Sequence, residues 1–205
     1  IFSSAINNVI KDQSRRLSQE HQITSRMAQA VEMICNGAQM NNWKISALFQ
    51  ELPDKGPGSL EKKIGADLYI AIEIKSSDYT IRKGLYVQAK KAGNKKITSD
   101  ELEQLRKLTY NGGANGGYIW IYDDVEVLVV PSQEVSDRNT KLFEFNAKNM
   151  NEHMRDVLDC FAGNRALCPS GIFRNNGRLD EKELELYLKE FSIQSGLIFS
   201  IESRE

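Results

Sequence analysis

Apolar residues recur along this chain at two spacings, and each spacing predicts a different kind of element. From about Leu17 to Asn36, residues Ile23, Met27, Ala30, Val31 and Ile34 fall on one helical stripe, and Gly37 follows as a stop signal. Segment 43–52 (WKISALFQEL) suits a second short helix or a strand, and PDKGPGS at 53–59 reads as a loop from its Pro and Gly content. The run 67–74 (DLYIAIEI) alternates strictly, with Leu68, Ile70, Ile72 and Ile74 on one side and Asp67, Tyr69, Ala71 and Glu73 on the other. That is the period of a strand. After a polar connection, LYVQAKK alternates in the same way, setting Leu85, Val87 and Ala89 against Tyr86, Gln88 and Lys90.

A helix is expected from about Ser99 to Leu108, with Leu102, Leu105 and Leu108 as its apolar row. Thr98 is its N-cap by pattern, because Glu101 stands three residues on and completes a capping box. NGGANGG at 111–117 leads into the strand YIWIYDD, and VEVLVVP at 125–131 reads as its neighbour after an Asp-Asp turn. Met150, Met154, Val157, Leu158 and Phe161 mark a further helix, 163–179 a loop, Glu181 to Phe191 a third clear helix, and 196–201 (GLIFSI) a last strand. The order predicts an α/β fold with a mixed central sheet flanked by helices. Residues 1–145 form the expected core, and 146–205 a helical C-terminal part packed on it.

The chain of 205 residues is 40% hydrophobic and 27% charged, which suits a globular chain and is too apolar for a disordered one. No stretch reaches the roughly 18 to 20 apolar residues of a membrane-spanning helix, so no membrane role is expected. The opening IFSSAINNVIKDQSRR reads as polar and lacks the apolar core of a signal peptide. Starting at Ile1 suits a piece of a longer protein. Three dispersed cysteines form neither a disulfide framework nor a zinc site, and a reduced, cytoplasmic protein is expected. Net charge is −1, so any nucleic-acid binding must come from a local patch rather than from the overall balance.

Chemistry concentrates in GAD at 65–67 and QAK at 88–90. Residues two apart on a strand share a face, so Gln88 and Lys90 project together. If the two strands pair antiparallel, Asp67 and Gln88 converge at one end. Asp67 then offers an anionic oxygen and Gln88 a neutral one to a divalent cation such as Mg2+ or Mn2+. Lys90 is placed to orient a water or neutralise charge on a phosphate. Each motif alone is common on solvated strand faces; together on adjacent strands they are not.

GAD followed by QAK resembles the PD-(D/E)XK superfamily of metal-dependent nucleases, the restriction-endonuclease-like fold, and is most similar to its Mrr-like branches with Gln in place of the second acid. The likeness covers roughly residues 17 to 131. It implies an Mg2+-dependent endonuclease acting on DNA, often as the effector module of a larger bacterial defence protein; nothing in the sequence excludes RNA as the substrate. Many such nucleases cut as homodimers. The departure at Gln88 leaves the site one negative charge short, so a rival expectation is an inactive module that binds nucleic acid or a protein partner. The resemblance also implies an acid on the first helix. Between Glu20 and Glu32, helical periodicity selects Glu20, which aligns with Ile23, Met27, Val31 and Ile34. Glu61 is the reserve, with a solvated loop acid as its plainer reading.

Arg82, Lys83, Lys90, Lys91, Lys95 and Lys96 form a run without an acid around the QAK strand. Such runs are usually solvated surface; here the run borders the expected site and suits phosphate contacts. Gln104, Arg106 and Lys107 could extend it. Tyr69 and Tyr86 are read as sheet packing, Trp120 as core, and NGGANGG, which lacks the GxxxxGK[ST] pattern, as no nucleotide site.

Overall fold

Helix α1 (Phe2–Gln13) forms where Phe2, Ala5, Ile6, Val9 and Ile10 repeat at helical spacing, a stripe the sequence reading passed over as a polar opening. The computed structural model describes residues 2–13, 19–53, 63–92, 97–136, 147–174 and 178–204. Helix α2 spans Glu20–Cys35 and buries Ile23, Thr24, Met27, Ala28, Val31 and Cys35. Ile34, expected on that stripe, is half exposed; Cys35 takes its place because the buried line drifts along the helix surface. β1 (Gln39–Met40) and β2 (Trp43–Glu51) form an antiparallel hairpin turning at Asn41, which decides for a strand over a helix at 43–51.

Strands β3 (Leu68–Lys75) and β4 (Thr80–Lys91) pair antiparallel with Leu68 opposite Val87. Helix α3 (Ser99–Gly116) starts at the expected Thr98 capping box but runs beyond Leu108, breaking only at Gly113, where φ is 63°. Strands β5 (Gly117–Tyr122) and β6 (Val127–Pro131) follow, then α4 (Ser132–Ser136), β7 (Lys148–Asn149) and α5 (Met150–Leu158). Phe161, expected on α5, lies beyond its end and is exposed. A 3-10 turn at Arg165–Leu167 precedes α6 (Glu181–Phe191) and β8 (Ser195–Ser203).

The sheet order is β1-β2-β8-β3-β4-β5-β6-β7. β8 is therefore a central strand, parallel to β3 and antiparallel to β2, so the C-terminal part contributes to the middle of the sheet as well as supplying helices. The fold is α/β, a mixed eight-stranded sheet among the described residues with six helices around it. Alternation along β3 divides its residues between two cores. Leu68, Ile70 and Ile72 meet α1, α2 and α5 on one face; Tyr69 and Ala71 meet α3, α4 and α6 on the other. Each fully buried Ile or Leu contributes roughly 1.5–3 kcal/mol, so both faces hold the sheet in place. No helix among the described residues is long and apolar enough to cross a membrane.

Candidate metal site on the overhanging edge of strand β4

Strand β3 begins late because the chain turns sharply just before it. Gly65 has φ +78°, and a Cβ there would collide with the carbonyl oxygen of Gln104 on α3. Only glycine meets both demands, which gives the GAD motif a structural reason. Asp67 follows the turn, its amide bonded to the Val87 carbonyl at 2.8 Å and its own carbonyl accepting from Ser195 at 3.2 Å.

β4 continues from Val87, the partner of Leu68, to Lys91 and so overhangs the start of β3. Backbone groups on a strand point alternately to its two edges, so the amides of Ala89 and Lys91 face the side that β3 has vacated. A side-chain carboxylate meets each of them. Asp67 Oδ2 accepts from Ala89 at 2.9 Å, and Glu20 Oε1 accepts from Lys91 at 2.8 Å. Buried amides need partners, and here two acids substitute for a missing strand. Amides two residues apart are about 7 Å apart along a strand, so the two carboxylates stand side by side on one edge.

Gln88 donates from Nε2 to Asp67 Oδ2, as the antiparallel pairing predicts. The amide orientation is dictated by charge, since its oxygen would repel the carboxylate. Gln88 Oε1 is consequently left buried, and it accepts no hydrogen bond among the described residues. With Gln88 2% exposed and Asp67 6%, such an orphan oxygen carries a desolvation cost of about 1–3 kcal/mol unless something binds it. Asp67, Glu20 and Gln88 Oε1 make a donor set of hard oxygens, the chemistry that suits Mg2+ or Mn2+ held through one or two carboxylates and retained waters. Among the described residues no three His, Cys, Asp or Glu side chains gather into a ready-made metal cluster, so the amide oxygen is the third protein donor available.

Lys90 shares the Gln88 face of β4 and reaches Glu101 Oε1 in the first turn of α3 at 3.2 Å. Burial alone would raise the Glu101 carboxyl, but the Thr98 amide and hydroxyl and the Lys90 ammonium outweigh it and hold that carboxyl below its ordinary range. Glu32, the helix acid not selected, accepts instead from the Phe49 amide of β2 at 3.0 Å. Glu61 lies outside the described residues, as do Lys95 and Lys96.

Two members of the basic run have partners within the chain. Lys83 is 2% exposed and donates to the Val157 carbonyl, and burial lowers its ammonium pKa. Arg82 pairs with the buried Glu73 at 2.6 Å and lies over the Phe173 ring. Lys83 finds its partner on α5, and Arg82 finds its partner directly opposite on β3. Lys91 remains beside the site, half-buried at the end of β4. On α3, Lys107 pairs with Glu103 at 3.2 Å. Tyr69 and Tyr86 pack on Tyr187, and Trp120 is core, as expected.

The sequence reading missed Glu101 as the partner of Lys90, and it missed Tyr122, whose hydroxyl lies 2.7 Å from Thr24 Oγ1 behind the two acids. The capping-box position of Glu101 was legible; its reach to Lys90 was not. Comparisons with protein-family models, curated proteins and solved structures found no match for this chain.

Proposed function

We propose that this chain is a metal-dependent nuclease of PD-(D/E)XK type that hydrolyses phosphodiester bonds of DNA. One observation carries the reading: Asp67 and Glu20 accept from alternate amides, those of Ala89 and Lys91, on the overhanging edge of β4, beside a buried, unsatisfied Gln88 Oε1. Asp67, Glu20 and Gln88 would hold the cation. Such an ion, when bound, supplies Lewis acidity toward a phosphoryl oxygen and a lowered pKa for coordinated water. Gln88 Nε2 fixes the rotamer of Asp67. Lys90 shares the Gln88 face of β4, where its ammonium would offset negative charge building on a phosphate and orient the attacking water. Glu101 keeps that ammonium in place from α3.

A second reading, a nuclease-like module that binds nucleic acid without cutting it, is favoured by the amide at position 88 where a second acid would strengthen metal binding. The experiment that separates the two incubates plasmid DNA, single-stranded DNA and RNA with Mg2+ or Mn2+. Cleavage by the parent protein, lost in both Asp67→Ala and Lys90→Ala, supports the enzyme and identifies its substrate. Salt-sensitive binding without cleavage in either metal supports the module. Neither binding nor cleavage overturns both.

A further inference from the structure

Behind the two acids, the last residue of β5 closes a ring of hydrogen bonds. Tyr122 Oη lies 2.7 Å from Thr24 Oγ1. Thr24 Oγ1 donates to the Glu20 carbonyl at 2.9 Å. A hydroxyl has one proton, so Thr24 can only accept from the phenol, and Tyr122 is the donor. On the other side of the ring, the Tyr122 carbonyl accepts from the Ala92 amide at 2.8 Å. The neighbouring Lys91 amide donates to Glu20 Oε1 at 2.8 Å. Backbone and side chain of one residue thus hold both the overhang of β4 and the first turn of α2.

We propose that Tyr122 is a positioning residue whose hydroxyl, acting through Thr24, sets the first turn of α2 so that the Glu20 carboxylate reaches the bare edge of β4. The N-cap residue Gln19 makes no side-chain capping bond among the described residues. Tyr122 is buried and last in a strand whose neighbours Tyr118 and Trp120 belong to the same core, so its ring cannot swing away. Burial, with a smaller opposing effect of the Thr24 bond and further increments from Asp67 and Glu20, pushes the phenol far above its ordinary value. It therefore stays a neutral donor. The consequence for metal binding rests on the nuclease reading; the placement of Glu20 does not.

The test uses Tyr122→Phe, which removes one oxygen, and Thr24→Val, which removes the relay while keeping the branched shape. Hydrogen exchange is read at the Lys91 amide, and Mn2+ affinity by water-proton relaxation. In both variants the Lys91 amide is expected to exchange at least about tenfold faster than in the parent, with the rest of β4 and β5 unchanged. Mn2+ affinity is expected to fall by about tenfold, with no further loss when Tyr122→Phe is added to Glu20→Gln. Unchanged protection of Lys91 in either folded variant overturns the proposal, and so does uniform acceleration across the sheet. A parent protein that takes up no Mn2+ overturns the nuclease reading, and the Lys91 exchange still decides the positioning role.

Discussion

Lys90 Nζ stands 3.2 Å from Glu101 Oε1, an ion pair that ties the end of β4 to the first turn of α3. Glu101→Gln is a clean probe, because Gln also completes a capping box and leaves α3 its N-terminal bonds. The pair is only partly buried, so stability in urea is expected to fall by no more than about 1 kcal/mol. Cleavage is expected to fall by about tenfold or more, because an ammonium released from its partner loses its aim. Parallel losses in rate and in the folded fraction would contradict this role.

Gln88→Glu replaces a donor with a second carboxylate against Asp67. Without a divalent ion, the two charges repel where a hydrogen bond stood, and the variant is expected to lose about 2 kcal/mol or more. Added Mn2+ is expected to return more stability to the variant than it adds to the parent, since the site gains one negative charge. Thermal melts in chelator and in Mn2+ check both halves; a variant blind to Mn2+ would place the cation elsewhere.

Gly65→Ala puts a methyl group against the Gln104 carbonyl at a backbone φ of +78°. Strain and collision together are expected to cost about 3 kcal/mol. Because the same turn delivers Asp67, Mn2+ uptake should weaken under conditions where the variant is still folded. Urea titration and metal binding measured together test this.

His153 is buried against the Tyr118 ring, their centroids 4.5 Å apart. Burial lowers its pKa from 6.5 to about 4, with Asp156 opposing and Lys148 assisting. A group with a depressed folded pKa binds its proton in the unfolded chain first. Its contribution is therefore complete above pH 6.5 and is lost as pH falls toward 4. The loss is on the order of 3 kcal/mol. His153→Leu should flatten this part of the stability profile, as read by denaturant midpoints between pH 7 and 4.

Where local pattern was enough, the sequence was legible. The alternation of Leu68, Ile70 and Ile72 against Tyr69 and Ala71 matches the two cores, the Thr98 box starts α3, and α6 has its expected ends. Asp67 and Gln88 meet as an antiparallel pairing requires. The stripe on α1 was equally readable from Phe2, Ala5, Ile6, Val9 and Ile10, and was obscured by the polar residues between them.

The basic run could not be judged from its own residues, because Lys83 and Arg82 are claimed by Val157 and Glu73, partners set by packing and strand pairing. Nor could Glu20 be seen to cap Lys91, or Tyr122 to hold Thr24, across 71 and 98 residues of chain. By itself the sequence determined most of the helices and strands from α2 to β8, which side of β3 and β4 is apolar, and that an acid and a Gln-x-Lys pair sit on neighbouring strands. Only the tertiary structure decided that β3 starts short of the end of β4. That overhang exposes two amides, and buried amides must be bonded; satisfying them is what draws Asp67 and Glu20 to one edge.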